Sequence, residues 1–147
     1  MLRFGFLIIF MAFILTPVVK AEHIYLPVVQ SQLNALVHLY QSTGGKHWLR
    51  DTNWLDGDVC HWHGVTCTAK MKAQGVYQQQ ITMLGLVGLG LHGQIPASIG
   101  DLSDLHLLDL SANRFTGRIP TSLGRRRQLE SLNLSANQLS GGIPDTR

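Results

Sequence analysis

Residues 105–120 read LHLLDLSANRFTGRIP, and residues 129–144 read LESLNLSANQLSGGIP. The two stretches keep leucine, asparagine, isoleucine and proline in the same order, 24 positions apart. Residues 81–96, ITMLGLVGLGLHGQIP, repeat the pattern once more, with Leu89 in the slot that later holds asparagine. The chain therefore carries a 24-residue unit three times, over 81–104, 105–128 and 129–147, and the third copy is incomplete.

Each slot of the unit has a physical interpretation. Leucines in L-x-L alternation predict a short strand with one buried face and one exposed face. Asn113 and Asn137 follow the strand, where an inward amide can bond backbone groups of adjacent turns in a repeat ladder. Gly117 and Gly141 permit a sharp bend, and the following Ile-Pro pair predicts an extended return segment on the convex side.

This period and leucine order predict a leucine-rich repeat solenoid. Each turn buries its leucines only against a neighbouring turn, so stability is roughly a sum of unit and interface terms. One long amphipathic helix is excluded because glycine and proline recur inside every unit. A solenoid presents a surface and has no ready-made reactive centre, so the pattern favours recognition over catalysis.

The first 21 residues have the organisation of a secretory signal peptide. A basic start precedes an apolar stretch over 4–15, and small residues before Ala21 predict a cut after that residue. The alternative is an uncleaved anchor, but a helix over 4–19 would reach only roughly 24 Å, against about 30 Å of hydrocarbon. We expect an exported chain that begins at Glu22, with an N-terminal cap over 22–80 and repeats over 81–147.

The charge of the exported chain is close to neutral. Removal of the first 21 residues takes away Arg3 and Lys20 and no acid, so the formal net charge falls from +3 to +1. The basic isoelectric point of about 9.1 therefore predicts neither nucleic-acid binding nor membrane binding. The remaining length suffices for one domain with one core.

Two cysteines lie in the segment CHWHGVTC, residues 60–67. In an exported chain an even cysteine count favours a disulfide, here Cys60–Cys67, which would contribute roughly 2.5 kcal/mol in the chain-entropy model. The alternative is a zinc site that uses these thiols with His47, His61 or His63. Adjacent Cys60 and His61 are poorly spaced as two ligands of one tetrahedral centre, so we expect the disulfide and no metal.

A capping helix is predicted ahead of the cysteines. Apolar side chains recur at helical spacing at Val29, Leu33, Leu36, Val37 and Tyr40. Pro27 stands near the start, and Gly44-Gly45 ends the pattern. Trp48, Trp54 and Trp62 follow. We expect these aromatics to shield the open end of the solenoid, and the alternative is that they stack on carbohydrate.

These motifs together resemble the plant-type extracellular leucine-rich repeat family. The resemblance rests on LYQSTGGKHW (39–48), NWL (53–55), the cysteine segment and the L-x-L-S-A-N-x-L/F-x-G-x-I-P units, and it covers nearly all of 33–144. It implies an α/β repeat fold, a right-handed solenoid with a parallel strand ladder on its inner face and a helical, disulfide-stapled cap. Polygalacturonase-inhibiting proteins and receptor-like ectodomains have this form. It also implies a protein, peptide or glycan ligand and no cofactor.

The inner-face positions between the leucines are the candidate ligand contacts. They are Thr82, Met83, Gly85, His106, Leu107, Asp109, Ser111, Glu130, Ser131 and Asn133. His106 and Asp109 could act as a base and its orienting group, but no nucleophile stands with them, so we do not expect an enzyme. Asn133-Leu-Ser135 is the single N-x-S/T acceptor for an N-linked glycan, which would cover part of this face.

The sequence leaves more than one role open. The favoured hypothesis is a secreted recognition module, and the alternative is a fragment of a larger membrane-anchored receptor or receptor kinase, or a structural surface protein. Arg126 stands in the slot that Leu102 fills one unit earlier, and no C-terminal cap is recognisable. A second copy or a larger chain is therefore expected to complete the core. The run Arg125–Arg127 is interpreted as solvated, with an anion-binding patch as the alternative.

Overall fold

The computed structural model describes residues 23–145. The predicted signal peptide over 1–21, with its cleavage site and the anchor alternative, lies outside the described residues. Within the described range, no helix combines the length and the apolar character that a membrane crossing requires.

Strands dominate the described chain, with one regular helix near its start. The strands are β1 (Ile24–Leu26), β2 (Val65–Ala73), β3 (Val76–Gly85), β4 (His92–Gln94), β5 (Leu107–Asp109), β6 (Arg114–Gly117), β7 (Ser131–Asn133) and β8 (Gln138–Leu139). The α-helices are α1 (Gln30–Ser42) and the short α2 (Thr121–Gly124), and 3-10 turns cover Gly45–His47, Val59–His61 and Ala97–Asp101. Helix α1 confirms the predicted capping helix.

The concave sheet is built on β3. Strands β5 and β7 run parallel to the end of β3, with Leu84, Leu108 and Leu132 in register. Strand β2 pairs antiparallel with β3 along its whole length, so β1 and β5 share the opposite edge of β3. The parallel ladder of a leucine-rich repeat solenoid is confirmed. Because β3 runs without a break through residues 80 and 81, the cap and the first turn share one strand.

A second sheet and two short helices complete the turns. Strands β4, β6 and β8 pair in parallel, and the sequence analysis did not predict them. The extended return segment predicted after Ile-Pro is wrong beyond the proline. Pro96 is itself extended, but the 3-10 turn Ala97–Asp101 and helix α2 follow Pro96 and Pro120. A proline's fixed φ and missing N–H are tolerated where a helix begins, so the pair starts a helix here.

The asparagine ladder ties each turn to the one before it. The Asn113 side-chain oxygen accepts the N–H groups of Leu89 and Leu91 at 3.0 and 3.1 Å, and its amide donates to the Leu86 carbonyl at 2.6 Å. One turn later, Asn137 bonds residues 115 and 110 in the same way. Leu89 occupies the ladder slot of the first turn, which follows the cap and not another repeat. The Leu89 carbonyl accepts the N–H of Leu49, in the cap, at 2.9 Å.

The cap closes the N-terminal end of the solenoid. Cys60 and Cys67 form a disulfide, so the zinc alternative that used their thiols is wrong. Trp48, Trp54 and Trp62 are only 4–6% exposed, and each indole N–H donates to a backbone carbonyl. Their rings pack against one another and against Tyr40. Because these faces are covered, they do not offer a sugar-stacking surface.

Candidate ligand-binding site

The parallel register arranges the predicted contact residues in rows across the concave sheet. Met83, Leu107 and Ser131 form one row, and the equivalent positions two residues later form the next. A preceding row begins at Thr82, because the His106 N–H donates to the Thr82 carbonyl at 2.8 Å and the Glu130 N–H donates to the His106 carbonyl at 2.8 Å. Residues from three successive turns are thereby placed side by side.

A groove of about 440 Å³ lies over the row that begins at Thr82 and the row that begins at Met83. Its lining residues are Thr68, Thr82, Met83, His106, Leu107, Glu130 and Ser131. Six of these seven are among the positions expected from the sequence, and Thr68 is not. Thr68 belongs to β2, which flanks β3 and has no counterpart in the repeat, so the 24-residue period held no signal for it.

Two predicted contact residues offer little surface to a ligand. Thr82 is 8% exposed, and its hydroxyl donates to the Thr66 carbonyl at 3.3 Å because β2 runs beside it. Ser111 is 7% exposed, and its hydroxyl donates to Asp109 at 2.6 Å. Met83, by contrast, is 37% exposed, so the apolar part of the groove is available.

Asp109 is the centre of a hydrogen-bonded cluster in the row formed by Gly85, Asp109 and Asn133. One carboxylate oxygen accepts the Ser111 N–H at 3.0 Å and the Ser111 hydroxyl, and the other accepts the Asn133 amide at 3.2 Å. Burial alone would raise the pKa of Asp109, but the hydrogen bonds from Ser111 and Asn133 outweigh it and the pKa is lowered. Asp109 is therefore ionised at neutral pH.

Asn133 uses both ends of its side chain. Its amide nitrogen donates to Asp109, and its oxygen accepts the N–H and the hydroxyl of Ser135 at 3.2 and 2.7 Å. The nitrogen that an N-linked glycan would modify therefore already contributes to the contact between the second and third turns.

The concave face has an acidic character. Asp109 and Glu130 are its acids, and the predicted contact positions include no lysine or arginine. The nearest described ion pair, Lys70–Asp104 at 3.9 Å, joins β2 to the segment before β5. This arrangement suits a ligand that brings a positive charge and an apolar group.

The arrangement does not form a catalytic or metal site of a recognisable kind. Asp109 directs its hydrogen bonds to Ser111 and Asn133, and no described hydrogen bond joins it to His106. Over residues 23–145, no group of three or more His, Cys, Asp or Glu side chains is placed to hold a metal ion.

Known sequences similar to this chain are leucine-rich repeat proteins, including a plant receptor-like kinase. The family model described as Leucine Rich Repeat matches residues 104–125 and 128–146. A relative in Arabidopsis thaliana, the LRR receptor-like serine/threonine-protein kinase GSO2, is 45% identical over 66 residues. That match covers 45% of this chain and 5% of the relative, so the chain corresponds to a small part of that protein.

Comparison with solved structures gives the same class of protein. The LRR ectodomain of the receptor kinase SOBIR1 from Arabidopsis thaliana superposes with a TM-score of 0.65 at 32% identity. The BIR2 ectodomain from the same plant superposes with a TM-score of 0.63 at 33% identity. Each match covers 81% of this chain and 60% of the ectodomain, so the chain spans somewhat more than half of either neighbour.

Proposed function

The chain belongs to the plant-type extracellular leucine-rich repeat family, and from that membership we propose an exported recognition module whose concave groove binds a segment of a protein or peptide. The observation that carries the proposal is the groove itself. Met83 and Leu107 are its apolar lining residues, and Glu130 lines it without an ion pair among the described residues. The similarity to ectodomains of receptor kinases supports the same class of function.

The groove favours an extended peptide with one apolar and one basic side chain. An apolar group can displace water from Met83 and Leu107, and a lysine or arginine can pair with Glu130. No phenylalanine, tyrosine or tryptophan lines the groove, so it lacks the aromatic platform on which a sugar ring would stack. A protein or peptide is therefore preferred over a glycan at this position.

Selection from a random displayed peptide library tests the proposal. We expect the enriched peptides to contain lysine or arginine, and we expect Leu107→Arg to weaken their binding at least tenfold by placing a like charge in the groove. Leu49→Arg is the matched control because Leu49 is 80% exposed on the cap. Equal binding to the wild type and to Leu107→Arg would refute the concave site.

A second pair of variants tests the charge. Glu130→Gln should weaken the binding of the basic peptides, and its effect should shrink as salt is added, because exposed charge pairs are screened. Asp101→Asn removes one acid from the convex side and should leave binding unchanged. Acidic peptides among the enriched sequences would contradict the assigned ligand class.

Export is the second component of the proposal. It rests on the organisation of residues 1–21, and we expect the secreted product to begin at Glu22 when its N-terminus is sequenced. A product that retains residues 1–21 would favour the anchored alternative. A mobility shift with glycosidase would reveal a glycan at Asn133, whose hydrogen bonds to Asp109 and Ser135 favour an unmodified side chain in the folded protein.

A second candidate surface favours the role of a part within a larger assembly. A groove of about 370 Å³ lies against the third turn and is lined mainly by apolar side chains, among them Leu123, Leu129, Leu134 and Ile143. Another leucine-rich turn, from a second copy or a longer chain, would fit there. Sedimentation tests the second copy: dimerisation that Ile143→Asp abolishes would support it, and a monomeric wild type would exclude it.

A further inference from the structure

The sheet β4-β6-β8 has an outward surface whose charge is opposite to that of the concave groove. We call this surface the lateral face. Its outward side chains are His92, Gln94, Arg114, Thr116, Arg118 and Gln138. The three segments that form it, 90–96, 112–120 and 136–144, contain no aspartate or glutamate. The arginines of the lateral face therefore have no acidic residue within the three segments that form it.

Two glycines leave room for long side chains of this face. A Cβ at Gly141 would meet the stem of Arg118 at 3.4 Å, and a Cβ at Gly117 would meet Gln94 at 3.1 Å. Gly117 and Gly141 also have φ of +76° and +80°, a conformation that favours glycine. The side chains that follow the bend therefore lie along the solenoid axis over the next turn. A side chain that already lies against the next turn loses less conformational freedom when a ligand binds.

The cap adds one lysine close to the lateral face. The ring of His92 lies directly over Gly44, where a Cβ would be 2.1 Å from it. Lys46 and His47 are exposed in the adjoining 3-10 turn. The two ion pairs found among residues 23–145, His61–Asp58 and Lys70–Asp104, use other residues. Arg114 and Arg118 make no described ion pair, so their charges are available to an external anion.

We propose that the lateral face binds an acidic polysaccharide. Arginine guanidiniums donate paired hydrogen bonds to carboxylate or sulfate groups. Arg114 and Arg118 are both exposed and lie four residues apart on this face, so two guanidiniums are available to one polymer chain. The outward residues are polar and no large apolar side chain stands among them, which disfavours membrane insertion or a protein interface with an apolar core.

This binding is independent of the peptide proposed for the concave groove, because the two faces share no residue. An acidic polymer could hold the module in place while the groove remains open. Carboxylate polymers and sulfate polymers both carry repeated negative charges, and the experiment below separates the two.

The test measures retention of the full chain on immobilised polygalacturonate, a carboxylate polymer, and on heparin, a sulfate polymer, with neutral dextran as the blank. Arg114→Gln with Arg118→Gln should weaken binding at least tenfold and reduce its salt dependence. The matched control is Arg125→Gln with Arg127→Gln, which removes the same charge from exposed convex positions and should change binding less than twofold.

A second variant adds a positive charge, so the test does not depend only on variants that weaken polymer binding. Gln138 pairs with Thr116, which lies between Arg114 and Arg118 in the chain, so Gln138→Arg should add a third cation to this face and tighten binding about threefold. Retention on only one polymer would assign the carboxylate or the sulfate class. Equal losses in the two double variants, or retention on dextran, would overturn the proposal. Unchanged concave-groove peptide binding by the Arg114/Arg118 variant would show that it remains folded.

Discussion

The second turn (105–128) and the third turn (129–145) have nearly the same sequence and very different surroundings. Leu108 is fully buried, whereas Leu132, in the same slot, is 42% exposed. Ile143 is 87% exposed, whereas Ile95, two units earlier, is 4% exposed. The second turn has a neighbour on each side, and the described third turn has one. Burial in this fold is therefore a property of the neighbouring turn as much as of the leucine.

Backbone hydrogen bonds follow the same rule. The N–H groups of Leu110 and Ala112 donate to carbonyls of the third turn, at 2.9 and 3.0 Å. The equivalent N–H groups of Leu134 and Ala136 have no such partner among residues 23–145. Each turn thus contributes to the stability of the one before it, as expected when a solenoid is stabilised by nearest-neighbour interfaces.

The largest expected difference between the two turns comes from one leucine. Leu108→Ala removes a buried side chain and leaves a cavity, so the free energy of unfolding should fall by about 3 kcal/mol. Leu132→Ala should lower it by under about 1 kcal/mol, because half-exposed side chains leave little cavity. Urea unfolding at equal protein concentration measures both. Equal losses would mean that the third turn is covered in solution.

The ladder asparagines should differ by a smaller amount. Asn113→Ala leaves the buried N–H groups of Leu89 and Leu91 and the Leu86 carbonyl without their partner, which should cost about 2 to 3 kcal/mol. Asn137→Ala should cost about 1 kcal/mol, because water reaches that half-buried position. The same unfolding assay applies. A larger loss for the Asn137 variant would contradict the ladder's dependence on burial.

The contrast also explains what the sequence could predict. The repeated pattern of 105–120 and 129–144 located the parallel strands of the concave sheet, the ladder asparagines and most groove residues, because each slot carries the same physical requirement in every turn. It could not locate β2, which occurs once and sets one wall of the groove. The alternation that placed Thr82 and Ser111 on the open face could not register that β2 and Asp109 cover them.

The lateral face was not predicted, although its signal was in the sequence. The glycines at 117 and 141 were interpreted as bends, yet they also give room for Gln94 and Arg118. The side chain that fills such space belongs to the preceding turn. A pattern analysis that examines one unit at a time therefore does not detect it.

A third difference between the turns is electrostatic. Asp109 titrates, whereas Asn133 in the equivalent slot does not. Because the pKa of Asp109 is lowered in the folded state, its stabilisation is present above the unfolded pKa and is lost as pH falls through the folded pKa. The difference in unfolding free energy between wild type and Asp109→Asn should therefore shrink from pH 6 to pH 2. A pH-independent difference would contradict the assignment.

The smallest effect should be equal in both turns. Ala112 and Ala136 have φ of +56° and +52°, whereas Gly88 takes their place in the first turn with φ of +64°. Ala112→Gly and Ala136→Gly should each raise stability by about 0.5 kcal/mol, because relief of the left-handed strain exceeds the gain in unfolded-state entropy. This strain is local, so thermal unfolding should report matching shifts. Unequal shifts would mean that the neighbouring turn also acts on the backbone bend.

We propose that ligands bind the concave sheet and not the uncovered end of the third turn. Amide chemical-shift mapping of the ¹⁵N-labelled chain, titrated with a selected basic peptide, tests it most directly. We expect the largest shifts at Met83, Leu107 and Ser131, which line the groove. Shifts concentrated at Leu123, Leu134 and Ile143, which line the uncovered end, would contradict it.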